Sequence, residues 1–345
     1  MGVVNFLLGS LNPILLLRTF YLAAAALILL IYATPTLRTR FLAYGSRATS
    51  PSKQTPKQTP KPTSPQPSNR FIQLLDHLTT YRVPHSYFTH FYILSILCSI
   101  LWLHQLRTRG PAFQQLAQLT STPSTSRIPN GFAARSRAAA AAPPETPSMT
   151  VAQVYLVCSL MLLQGLRRLA ESCFYTSDSK SQMWIGHYAL GVLFYSTVNI
   201  AVWIEGTPAL LADPPTAPSP RPTSLMPLDL KSTLLVPLLL TTHILQNAHH
   251  AFLSSLRRSG TYALPTSPLF PRILCPHYTL EVLHYTLLAL LAAPAGRAVN
   301  YTLAAAVMLV AVNLGVTAEG TRGWCVGRFG AESVKGRARM LPWVW

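Results

Sequence analysis

The chain has 345 residues, half of them apolar and only 11% charged, with 28 Lys and Arg against 10 Asp and Glu. A mean hydropathy of +0.29 argues against a soluble globular domain and for a multi-span membrane protein. The net charge of +18 would suit a polyanion partner in a soluble protein, but here its placement along the chain argues against nucleic acid.

Seven apolar runs are predicted to span a membrane: 14–33, 87–106, 150–166, 183–204, 232–253, 278–294 and 298–317, the third and sixth being short. If the N-terminus is lumenal and the C-terminus cytosolic, the cytosolic segments hold 19 Lys and Arg and the lumenal ones 8. That asymmetry follows the positive-inside rule and fixes the expected orientation. The first run has no basic residue before it and no small-residue cleavage site after it, so it reads as an anchor.

In chain order, residues 1–49 form the first span and its cytosolic edge, and 50–69 are Pro/Thr/Lys-rich with no apolar period, as expected of disorder. Residues 70–107 lead into and form the second span, and 108–149 read as a low-complexity loop. The third span ends in Arg167, Arg168 and Glu171, a pattern shared by snorkelling stop signals and functional sites. Polar residues of the fourth span, such as Tyr188 and Tyr195, suit an interface belt, and the Pro-rich stretch 205–231 carries no signal. The remaining core, 150–345, ends in a basic and aromatic tail with Arg322, Arg328, Lys335, Arg337 and Arg339, which suits anionic lipid or phosphate. The five cysteines lack CxxC or paired spacing and read as free thiols packed as small apolar residues.

Chemistry concentrates between His243 and Glu281. Gln246, His250 and Arg257 fall within about 40° of one another at 100° per residue, so one helix face presents all three. His277, Glu281 and His284 follow at i, i+4 and i+7 on the next helix. Glu281 is the only acidic residue inside any of the seven runs, and a charge at the bilayer centre costs ~2.5–3.5 kcal/mol on insertion scales, so it is expected to line a site. For His243, His249 and His284 an interhelical hydrogen bond is at least as good a reading as function. No Walker loop, GxGxxG, GxSxG or HExxH occurs, and the histidine spacing does not match membrane di-iron boxes, so no metal is expected.

The stretches LQNAHHAFLSSLR and TYALPTSPLFPRILCPHYTLEVLHY resemble the steroid 5-alpha-reductase family, and within it the polyprenol reductase branch of fungi and plants. RFLAYGS, VPHSYFTHFYILS, QGLRRLAESCFY and the ending RMLPWVW extend the resemblance over most of the chain outside the two low-complexity stretches. It implies an all-α integral membrane protein of about seven transmembrane helices, in the endoplasmic reticulum, binding NADPH from the cytosolic side. It implies that Gln246, His250, Arg257, His277 and Glu281 line the cofactor pocket, with Arg168 near it. Arg257 and Arg258 suit phosphate, as do Arg322 and Arg337; Glu281, Arg168 and His277 are the candidates for catalysis. The implied reaction is reduction of the α-isoprene double bond of polyprenol or polyprenal, supplying dolichol for N-glycosylation. Hydride adds only to a polarised alkene, so polyprenal is the expected direct substrate. Alternatives are another enone or enoyl lipid, such as a 3-oxo-4-ene steroid or a very-long-chain enoyl thioester, or a non-catalytic lipid-binding protein. The sequence departs from the family at Gly45–Ser46, where Gly–Lys is usual, and at Arg322 and Cys325, where a His and a Tyr are usual.

Overall fold

The computed structural model describes residues 12–42, 70–121, 147–175, 181–212, 229–258 and 263–341. The expected disordered segment 50–69, Gly45–Ser46 and the last four residues lie outside them. Long helices occupy all seven expected positions: α1 (Pro13–Ala33), α4 (Phe88–Thr108), α6 (Val151–Tyr175), α7 (Ile185–Ala201), α9 (Leu230–Arg258), α10 (Pro276–Leu291) and α11 (Tyr301–Phe329). Shorter helices are α2 (Pro35–Phe41), α3 (Arg70–Leu78), α5 (Pro111–Ser121) and α8 (Thr207–Ala212).

Among the described residues, four segments are long and apolar enough to cross a membrane: Pro13–Ala33, His85–Thr108, Ile185–Ala212 and Tyr301–Phe329. The expectation of seven is met in helix positions but not in this stricter sense. α10 has only 16 residues, and α6 and α9 carry charged and amide side chains where a span would be apolar. These three helices hold Arg168, Gln246, His250, His277 and Glu281.

Two expectations fail in detail. The stretch 108–149 is not a loop throughout: it opens with α5, whose Phe113 and Ala117 are buried in the main core. Apolar residues at i and i+4 gave that helix a packing face. An all-helical fold also omits a short antiparallel ribbon, β1 (Arg82–Pro84) with β2 (Gln182–Trp184), in register Arg82↔Trp184, Val83↔Met183 and Pro84↔Gln182. Strands of three residues fall below any periodicity signal. The ribbon holds the starts of α4 and α7 side by side.

α1 packs on α11, α9 on α10, α10 on α11, and α4 on both α6 and α7. Their apolar faces form one core that includes Tyr21, Trp102, Met161, Trp203, Tyr285 and Leu288. A smaller cluster of Leu274, Cys275, Ala318, Cys325, Val334 and Met340 lies under the tail. Cys158, Cys275 and Cys325 are buried in these clusters, as small apolar residues should be. α11 runs through residues expected to be tail, so Arg322, Cys325 and Arg328 are helical. Gly330, at φ 87°, ends it, a backbone conformation that glycine adopts without steric penalty. The chain then folds back, and Leu274 and Cys275 N–H donate to the carbonyls of Ala338 and Arg339.

Contacts at the helix ends set the relative direction of the elements. Asn300 N–H donates to the Ala289 carbonyl, and Gln153 Nε2 to the Leu291 carbonyl, so the starts of α6 and α11 meet the end of α10. The second halves of α6 and α9 therefore lie beside the start of α10.

Candidate functional site

The local sequence sets up three polar stripes. On α6, Gln164, Arg167, Arg168 and Glu171 stand at i, i+3, i+4 and i+7, one face of the helix. On α9, His243, Gln246, Asn247 and His250 repeat that spacing. α10 begins with Pro276, whose fixed φ and missing N–H suit a first helical position, and this places His277 and Glu281 in its first two turns.

Packing turns these stripes toward one another. Gln246 Nε2 donates to Glu281 Oε2 at 2.6 Å and to the His277 carbonyl at 2.9 Å. Gln164 Nε2 donates to the other Glu281 oxygen at 3.3 Å. Arg167 Nη2 then donates to the carbonyl oxygens of both amides, Gln164 at 2.7 Å and Gln246 at 2.5 Å. Glu171, 5% exposed, takes Arg167 on one oxygen and Arg168 on the other. His250 Nδ1 lies 2.8 Å from the oxygen that takes Arg168. Arg168 Nη2 donates to the Tyr92 hydroxyl of α4 at 2.6 Å, with the guanidinium 4.8 Å from that ring's centre.

Two carboxylates and two guanidiniums therefore balance inside one connected network. Isolated buried charges of this kind are costly, so pairing is the condition for keeping them there. The Arg167–Arg168 pair is thus no snorkelling stop signal, because both side chains turn inward to Glu171. Glu281 is the acidic residue inside an apolar run, and the structure adds two buried ones just outside the runs, Glu171 and Glu205. α6 continues past the end of its apolar run, and Glu205 follows immediately on the run 183–204.

The network leaves buried atoms without partners. They are Arg167 Nε, Arg168 Nε, His277 Nδ1 and both ring nitrogens of His249. The His277 ring stacks on His249 with centroids 5.2 Å apart and meets His250 edge-on at 5.5 Å. Unpaired buried donors and acceptors are few in native proteins, and a cluster of them marks where a polar ligand would complete the set. His243 Nε2 and His284 Nδ1 share a 3.0 Å hydrogen bond between α9 and α10, an interhelical role, while His284 Nε2 is a further buried nitrogen without a partner.

The structure thus joins Arg168, Gln246, His250, His277 and Glu281 in one site. Arg257 and Arg258 end α9, and their side chains lie outside the described residues. Arg322 is half-buried on α11, and Arg337 Nη2 donates to the Pro265 carbonyl at 2.7 Å. No hydrogen bond of the network reaches either of them. Arg337 instead pins the tail to the loop before α10, and Arg339 pairs with Glu319 of α11.

Sequence reasoning missed Gln164 and Tyr92 and left Glu171 undecided. For Gln164 and Glu171 a signal existed, since they share the helical face of Arg167. For Tyr92 none existed, because its partner is 76 residues away.

A family model described as 3-oxo-5-alpha-steroid 4-dehydrogenase matches residues 222–345, which hold α9, α10, α11 and the tail. No match was found among curated proteins. The family match supports an oxidoreductase acting on a double bond in a lipid. The helices α4 and α6, which contribute Tyr92 and the Arg167–Glu171 group, lie outside the matched stretch.

Proposed function

We propose that this protein is an NADPH-dependent reductase of the α-isoprene double bond of polyprenal, or of polyprenol presented in oxidised form. It would be seated in the endoplasmic reticulum membrane with its C-terminus cytosolic, giving dolichal and dolichol for N-glycosylation. The observation that carries the reading is the convergence of three polar helix faces on one ionic network whose buried nitrogens lack partners.

A nicotinamide dinucleotide fits the residues present. His277, His249 and Arg168 offer unpartnered nitrogens, and Arg257 and Arg258 follow on the same helix as Gln246 and His250. When bound, that cofactor supplies hydride. In this chain Glu281 of α10 would accept from a carboxamide or ribose hydroxyl, and Arg257 and Arg258 at the end of α9 would meet phosphate. Glu171 holds Arg168 and His250 in fixed positions, so the polar groups are oriented before any ligand arrives. Reduction of an enal places negative charge on the carbonyl oxygen, and a fixed N–H donor there lowers the barrier. An allylic alcohol offers no such oxygen, which is why the aldehyde is the expected direct substrate.

A second reading, reduction of a 3-oxo-4-ene steroid or another enone or enoyl lipid, is favoured by the description of the matched family. Membranes expressing this chain, from cells lacking their own polyprenol reductase, should convert polyprenal with NADPH to a product two hydrogens heavier at the α-isoprene unit. Arg257→Ala and Glu281→Ala should abolish that gain. Turnover of a steroid enone but not polyprenal would select the second reading. Failure of the folded protein to bind NADPH would leave a non-catalytic lipid-binding protein.

A further inference from the structure

The outer side of the network opens into a cleft of about 360 Å³ between α6 and α9. Arg167, Glu171, His243 and Asn247 line it as polar groups, and Phe174 and Ile244 as apolar ones. Phe174 is 72% and Ile244 68% exposed, and Leu163, Leu166 and Leu240 are also exposed on the same two helices. Such an apolar surface around charged residues is expected where a helix pair meets lipid and mismatched where it meets water.

The polar lining has a definite preference. Arg167 is already paired with Glu171, so a phosphate-bearing headgroup would have to compete with that carboxylate for the guanidinium. Arg167 and Asn247 line the cleft together. The Tyr175 hydroxyl donates to Asn247 Oδ1 at 3.1 Å, which leaves the Asn247 amide N–H groups as donors. The cleft therefore offers N–H donors to a neutral oxygen. Its volume is at the low end of the ~300–1,000 Å³ of ligand pockets, enough for one end of a larger molecule.

We propose that this cleft is a membrane-facing subsite for the uncharged, oxygen-bearing head of a single-chain isoprenoid, whose chain leaves between Phe174 and Ile244 into the bilayer. The head, aldehyde or alcohol, accepts from Arg167 and Asn247, on residues shared with the network that would hold the cofactor. The proposal deepens the reductase reading and rests on it for the choice of an isoprenoid.

The test uses the full chain in phosphatidylcholine nanodiscs with diazirine-bearing geranylgeranial, geranylgeraniol and phosphatidic acid. After irradiation, labelled peptides are mapped by mass spectrometry, and NADPH binding is measured on the same preparation. Both isoprenoid probes should label 174–175 and 244–247 more than the phosphatidic acid probe does. Ile244→Trp, at an exposed position, should cut that labelling about tenfold and leave NADPH affinity unchanged. Stronger labelling by the aldehyde than by the alcohol would identify the head. Labelling spread over α1, α4 and α7, or equal labelling by phosphatidic acid, would overturn the subsite. Cleft labelling without NADPH binding would overturn the reductase reading and keep the subsite; NADPH binding with spread labelling would do the reverse.

Discussion

Two ionic clusters stand toward opposite ends of α10, whose 16 residues span about 24 Å. At its far end Glu205 Oε1 accepts from Arg18 Nη2 of α1 at 2.8 Å, and from the N–H and hydroxyl of Thr302 of α11 at 2.9 and 2.6 Å. Arg18 Nε donates to the same hydroxyl at 3.1 Å. No side-chain atom of these three residues is buried without a partner. At its near end the Glu171–Glu281 network holds two carboxylates and two guanidiniums, also balanced, but several buried nitrogens remain unpaired. The first cluster joins three helix ends and is complete; the second is complete in charge and incomplete in hydrogen bonds. Charge balance alone therefore does not separate a structural tie from a site. Unmet hydrogen-bonding capacity on the side chains of the cluster itself is what sets the second apart.

The largest effect is expected where both features meet. Glu171→Ala strands two guanidiniums and should cost about 3–5 kcal/mol of stability, measured as a lowered melting point in detergent, together with loss of NADPH binding. Glu205→Ala should cost about 3 kcal/mol, near the low end for buried pairs because Arg18 is 27% exposed, with NADPH affinity unchanged. A matching loss of affinity would show that the two clusters are not independent. His277→Ala removes a ring whose Nδ1 has no partner, so NADPH affinity should fall about tenfold while the melting point moves little. A large drop in melting point with unchanged affinity would make His277 structural. Thr302→Val removes one hydroxyl from the complete cluster and should cost about 1 kcal/mol, visible only in stability.

Much of this was legible along the chain. Apolar runs located the seven long helices, and helical spacing put Gln246 with His250 and His277 with Glu281 on shared faces. Those are local properties, set by a period of 3.6 residues and by Pro276 at a helix start. Arg168 and Glu171 were visible but ambiguous, because a stop signal and a buried ion pair have the same spacing. Arg322 and Arg337 looked alike as tail charges, although one lies on α11 and the other bonds the Pro265 carbonyl.

The sequence by itself determined which helix faces are polar, since a side chain's direction around a helix follows from its position in the chain. Only the tertiary structure decided which faces meet. Glu171 finds His250 79 residues away, Gln164 finds Glu281 117 away, and Arg18 finds Glu205 187 away. A buried charge is tolerated only beside its partner, and that partner is chosen by how helices pack, which no local spacing records.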